Sequence, residues 1–233
     1  MVKDNRNCIA FKLNFCNGGI DCGHIGFYGI CSKAMIEHNI NKEKRNWCSR
    51  SYCKDYLYRK ITYDELKNYW SPVVNSIYHT CFESRTLRDW IVGAGADANG
   101  DLRKIKKIDD LFGKLCILTT VRPGYKEIDR VIFAMFIISD IQTDDDYCDE
   151  VIADKKYRIE FKANELDRAK YWEIKKLNKD GSKRWGSGLF RYFDNDEALQ
   201  FLKMAVEIKT GTSEEKFAKE FLDNYCKINN IQR

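Results

Sequence analysis

Six of the chain's ten cysteines, Cys8, Cys16, Cys22, Cys31, Cys48 and Cys53, fall within its first 53 residues. They stand among glycines, with few aliphatic side chains to pack around them. The opening segment, Met1 to Cys8, lacks the apolar block of a secretory signal. The longest apolar run, Val131–Ile138, is far shorter than the about 20 residues needed to cross a bilayer. The sequence therefore reads as cytoplasmic, with no membrane partner. Disulfides do not persist in a reducing compartment, so crowded thiols there point to a bound metal.

Zinc takes four thiolate or imidazole ligands in a tetrahedron, commonly as two local pairs. Cys48-x4-Cys53 supplies one pair. Cys22-x8-Cys31 supplies the other, with Gly23, Gly26 and Gly29 permitting the backbone turns. Cys8, Cys16 and His24 compete for places. Neither common ferredoxin spacing is present, which favours zinc over an iron–sulfur cluster. Four thiolates would close the coordination shell, so the expected role is structural. The remaining cysteines, Cys81, Cys116, Cys148 and Cys226, are scattered singly and read as small buried hydrophobes.

The charge is also uneven. Residues 1–61 hold 11 Lys/Arg against 5 Asp/Glu, leaving 29 against 30 in the remainder, so the net charge of +5 resides beside the cysteines. Phosphate is the common partner of such a surplus. With 44% hydrophobic residues and only two prolines, the rest of the chain can bury a core. A boundary near residue 61 is expected, with a cysteine-rich metal-binding module at 1–61 and an α+β domain at 62–233.

A short helix is expected around Ser32–Asn39 in the first part. In the second, Thr62-x-x-Glu65 is a capping-box pattern, and Ser71-Pro72 opens a further helix. Ser84–Val92 reads as a third, ending at a loop, Gly93–Gly100. Lys114–Val121 and Arg130–Ser139 read as strands flanking the turn Arg122–Glu127, the second apolar on both faces and so central. Tyr157–Phe161, Tyr171–Lys175 and Gly188–Phe193 are further expected strands. Asp194-x-x-Glu197 and Thr212-x-x-Glu215 open two amphipathic helices at the end of the chain. The result is a mixed, mostly antiparallel sheet with flanking helices.

The run Leu115–Phe136 thus gives a strand, a Pro-Gly turn and a buried strand, and Trp185-Gly-Ser-Gly-Leu-Phe-Arg-Tyr192 follows later. Together these segments, about a third of the chain, resemble the PUA-like superfamily, which includes the EVE, ASCH and YTH domains. The resemblance implies a small barrel that binds RNA or a modified base, often flipped into an aromatic pocket. Some members accompany nucleases in bacterial modification-dependent restriction, so DNA or RNA, and a nuclease or other protein subunit, are the implied partners.

The residues support a base-binding reading independently, because a flipped base recovers its lost stacking from aromatic faces and from hydrogen bonds to its edge. Arg184, Trp185, Phe190, Arg191 and Tyr192 place rings beside cations, and Trp90 and Tyr125 are further candidates. Lys175, Lys176, Lys179, Lys183 and Arg184 are placed to track phosphates, as are Arg103, Lys104, Lys106 and Lys107. Aromatics beside strands are, however, commonly core.

No Walker loop or dinucleotide fingerprint is present. The enzyme alternative is a Mg²⁺-dependent nuclease, with Glu160-Phe-Lys162 on one strand and Asp149 or Asp154 upstream. Glu173-Ile-Lys175 and Glu207-Ile-Lys209 match that pattern equally well, so the sequence leans away from an enzyme. A zinc-stabilised interaction subunit is the third reading.

Overall fold

The computed structural model describes residues 8–18, 26–45, 48, 51–70, 81–94, 104–106, 108–143, 149–178, 180–186 and 188–232. By internal contact the chain divides into two units, Met1–Leu13 with Gly93–Arg233, and Asn14–Val92. The division therefore falls on either side of the cysteine-rich segment rather than at residue 61. The first strand leaves that segment, and residues 62–92 join it.

The first strand, β1 (Cys8–Lys12), is followed in the Asn14–Val92 unit by short helices. Ser32 caps α1 (Lys33–Glu37) by accepting from the Met35 amide, and the helix continues as a π-helical turn over His38–Lys42. Ser51 caps α2 (Tyr52–Leu57) in the same way through the Cys53 amide. The capping box at Thr62 forms as expected. Thr62 Oγ1 accepts from the Glu65 amide, Glu65 Oε2 accepts from the Thr62 amide, and α3 (Tyr63–Trp70) follows. The helix expected at Ser71-Pro72 lies outside the described residues. Ser84–Val92 is not one helix. A 3₁₀ turn and α4 (Thr86–Asp89) end at Trp90, whose left-handed backbone (φ 54°) stops the helix and starts β2 (Ile91–Ala94).

The sheet unit holds β3 (Leu115–Thr120), β4 (Val131–Gln142), β5 (Asp149–Glu160) and β6 (Phe190–Phe193). The six strands form one mixed, curled half-barrel sheet in the order β2-β5-β4-β3-β1-β6. β1 runs parallel to β3, with Ile9 opposite Cys116. The pairs β1–β6, β3–β4 and β4–β5 are antiparallel. The apolar run of β4 is buried from Val131 to Ile138, as befits a central strand covered on both faces. Thr119 and Thr120 stay buried on β3 because their hydroxyls donate to the carbonyls of Phe11 and Leu13.

Tyr171–Lys175, expected as a strand, is instead a single helical turn, α5 (Tyr171–Ile174), closed by the Lys175 amide on the Tyr171 carbonyl. Its aromatic pair gives no alternation to hold a strand, and both rings are buried together. α6 (Asn195–Lys209) begins with the expected box of Asp194 and Glu197 and buries Ala198, Phe201, Leu202 and Ala205. α7 (Glu215–Ile228) buries Phe221, Leu222 and Tyr225 but starts later than Thr212 suggested. The Thr212 hydroxyl donates to the Lys209 carbonyl and so closes α6 instead. No helix among the described residues is long and apolar enough to cross a membrane.

Candidate functional site

The Asn14–Val92 unit gathers five buried thiols. The Cys31 and Cys16 sulfurs lie 3.1 Å apart. Two glycines make that approach possible. A Cβ on Gly18 would stand 1.9 Å from the Gly29 carbonyl oxygen, and one on Gly26 (φ +98°) would stand 1.8 Å from that of Cys16. Backbone amides point at both sulfurs, Gly18 at Cys16 (3.4 Å) and Asn17 at Cys31.

Cys81 is the second focus. The Cys48 and Cys53 side chains are neighbours of its sulfur, while the Ser84 amide and hydroxyl donate to its carbonyl oxygen at 3.2 and 2.7 Å. Cys48 and then Cys53 hold the Cys81 thiol well below its ordinary range despite complete burial. The bonds to Cys81, and then burial, push Cys48 and Cys53 upward, while Cys31 is pushed upward by its bond to Cys16 and by burial. Beside them Glu83 accepts from the backbone and side chain of Asn14 through Oε1, while its buried Oε2 has no hydrogen-bond partner. Burial, then the Cys81 charge, raises the Glu83 carboxyl to about 7.

Of the ligands expected from sequence, Cys31, Cys48 and Cys53 lie in this group together with the alternate Cys16. Cys22 and His24 lie outside the described residues. Cys8 belongs to the sheet, where its thiol meets the Tyr225 hydroxyl at 3.1 Å and burial raises it to about 11. Cys116 and Cys226 are buried hydrophobes as expected, but Cys81 is not: it joins the thiol group. It has no local partner in the sequence, which is why spacing alone passed over it. All eight described cysteines are free of disulfides. As they stand, no three His, Cys, Asp or Glu side chains among the described residues are spaced to hold an ion.

The sheet unit gathers a second group. Trp185, expected as an accessible base-stacking ring, is 3% exposed. Its ring packs 5.2 Å from that of Tyr171, and its indole N–H donates to the Gly188 carbonyl at 2.8 Å. Trp172 meets Tyr171 edge-on, 5.0 Å between centroids, with its N–H on the Glu127 carbonyl, and Phe201 stacks on Tyr171 at 5.8 Å. Arg130 stands over Trp185 at 4.8 Å, held by Glu127 and the Thr119 hydroxyl. Arg191 lies near both indoles, at 5.6 and 5.7 Å, and donates to the Asn178 side chain and the Trp185 carbonyl. Inside this box the Tyr171 hydroxyl is buried with no hydrogen-bond partner, and burial raises its pKa.

The other expected base-binding residues lie elsewhere. Arg184 is exposed and paired with Asp180. Phe190 packs on Phe11 and Tyr192, and the Tyr192 hydroxyl donates to the Lys106 carbonyl. Tyr125 is 49% exposed on its turn, with the Arg122 guanidinium 4.1 Å from its ring. Trp90 is a buried residue of the Asn14–Val92 unit. Sequence reasoning missed Tyr171, Trp172 and Arg130, because a strand reading of residues 171–175 hid the helical turn that brings the two rings together. Of the expected phosphate-tracking residues, Arg103, Lys107 and Lys179 lie outside the described residues, while Lys175 is spent on the buried Glu197.

The nuclease residues do not converge. Asp149, Asp154 and Glu160 all lie on β5, not on two neighbouring strands. At about 3.3 Å per residue, Asp154 and Asp149 stand roughly 20 and 36 Å along the strand from Glu160. Asp149 accepts from the Ile105 amide and pairs with Lys104. Asp154 accepts from the Lys156 and Tyr157 amides where β5 shifts register. Lys162 reaches Glu214 at 4.0 Å. Asp149 and Asp154 are thus committed to the fold.

Comparison of the chain with protein-family models, with curated proteins and with solved structures returns no match.

Proposed function

We propose that the chain binds nucleic acid and reads a modified or flipped base, in the manner of the PUA-like superfamily that it resembles. The carrying observation is the Tyr171 hydroxyl, buried and unpartnered on a ring that packs against two tryptophans, themselves met by two arginines. Leaving such a group unsatisfied costs about 1–3 kcal/mol, a cost that a ligand's polar edge would remove. Aromatic walls and guanidinium groups suit a planar heterocycle next to phosphate. Residues 180–186, which carry Trp185, have no regular secondary structure and are held by Arg191, Asn178 and Lys12, so entry of a base requires them to move.

Fluorescence anisotropy with modified and unmodified DNA and RNA oligonucleotides, without divalent metal, tests this reading. Binding is expected to prefer one modification and to weaken as salt rises. Tyr171→Phe is the sharper variant. It removes the orphaned hydroxyl, so stability should hold or rise, while affinity for the preferred base should fall about tenfold, the equivalent of about 1.4 kcal/mol. A panel with no binder, or full affinity in Tyr171→Phe, would defeat the reading.

A further inference from the structure

We propose that Cys16, Cys31, Cys48, Cys53 and Cys81 form a thiolate site for one zinc ion, four of the five binding it and Cys81 being indispensable.

Three observations converge. First, Cys81 bridges the group. Cys48 and Cys53 are its side-chain neighbours and it lies within interaction range of Cys31, whose sulfur is 3.1 Å from that of Cys16. The thiols come from four stretches of the unit, so no local accident of spacing produces the cluster.

Second, the sulfurs are supplied with donors. The Gly18 amide donates to Cys16 at 3.4 Å, and the Asn17 amide faces Cys31. An N–H aimed at sulfur favours the thiolate, the form that binds metal, and such outer hydrogen bonds orient ligands. A zinc tetrathiolate carries two negative charges in a buried place, and these amides offset part of that cost.

Third, the scale suits one small ion. Zinc–sulfur bonds of about 2.3 Å place tetrahedral sulfurs about 3.8 Å apart. The Cys16–Cys31 separation of 3.1 Å is a thiol–thiol hydrogen bond slightly tighter than that edge. It opens by a small movement once the proton leaves, which reconciles the cluster with the lack of ready ligand spacing among the described residues. Sulfurs arrayed round a multi-iron core stand much farther apart, so the crowding favours zinc. Zinc binds the sulfurs as thiolates, so binding releases the protons of those ligands that are still thiols, and apparent affinity should rise with pH. A unit of this size with a thin aliphatic core is also the kind that a structural metal completes.

The test is elemental analysis of the full chain purified under reducing conditions. One zinc per chain is expected. Cys81→Ser should bring the content close to zero, while Cys8→Ser, Cys116→Ser and Cys226→Ser should keep it. Should Cys81→Ser fail to fold, cobalt(II) titration of the metal-stripped wild type still decides the question. Strong sulfur-to-cobalt charge-transfer absorption at one equivalent, displaced by zinc, supports the site. Substoichiometric metal, iron in place of zinc, no charge-transfer band, or full zinc in Cys81→Ser would overturn it. None of these readouts involves oligonucleotide binding, so this inference and the base-reading proposal fail separately.

Discussion

Lys209 shows how a charge can be held inside this protein. Its ammonium is fully buried, yet each N–H has an acceptor: Glu165 and Glu214 at 2.8 Å and the Glu160 carbonyl at 2.7 Å. The Phe161 ring lies 5.5 Å away. Cutting such a pair strands the buried Glu165 carboxylate, so Lys209→Met should cost about 3–5 kcal/mol. Urea unfolding would measure it, and adding Glu165→Leu to the same chain should recover part of the loss, since the uncompensated charge is then gone. No recovery would mean that the lysine acts through packing of its stem. In the sequence Lys209 is merely the second half of a Glu-x-Lys match and a cation in the last turn of a helix. Its burial depends on Glu165, 44 residues earlier, and no local pattern carries that information. The same holds for Cys81. Residues whose partners are near in sequence, such as Thr62 with Glu65, could be read correctly; those whose partners are remote could not.

At the scale of elements, α6 rests on its first turn. Asp194 accepts from the Glu197 amide, Glu197 accepts in return, and Lys176 pairs with the Asp194 carboxylate. Replacing Asp194 with alanine should cost about 1 kcal/mol, the usual worth of an N-cap. Burial alone would raise the Asp194 carboxyl, but Lys176 and the Glu197 amide outweigh it, and the pKa is lowered. The unfolded chain therefore binds the proton more readily than the folded one. The contribution of Asp194 is complete above about pH 4, the ordinary range of the group, and is lost as pH falls through the lower folded value. Asp194→Asn keeps the cap and removes the charge, so its stability should fall less steeply on the acid side than that of wild type. Parallel slopes in urea titrations across that range would refute this account. Helices and strands with strong local signals were legible here, including β3, β4, α3 and α6. Tyr171–Ile174 was not, because two large aromatics side by side suit a strand or a helical turn equally, and only Phe201 and Trp185 around them decide it. The candidate base site was misplaced for that same reason.

For the whole molecule, the chain order conceals the units. β1 is only five residues long and begins with a cysteine, yet it pairs with β3 and β6, more than 100 residues away. A linear reading assigns it to the cysteine segment; the sheet claims it through Ile9, Ala10 and Phe11, all buried. The thiols then belong to Asn14–Val92 alone, with the sheet's core lying in the other unit. If an ion organises the first and apolar packing the second, metal removal should affect them unequally. Hydrogen exchange read by mass spectrometry, with zinc and then with excess chelator, tests this directly. Amides in 26–45 and 51–70 are expected to lose protection when the ion is removed, because thiols returned to their protonated form no longer tie four stretches together. Amides in 115–120 and 131–138 should keep theirs, since those strands are buried on both faces by side chains that no ion orders. Equal loss in both sets would mean that the units unfold as one, and no loss in either would mean that the thiol cluster stands without metal.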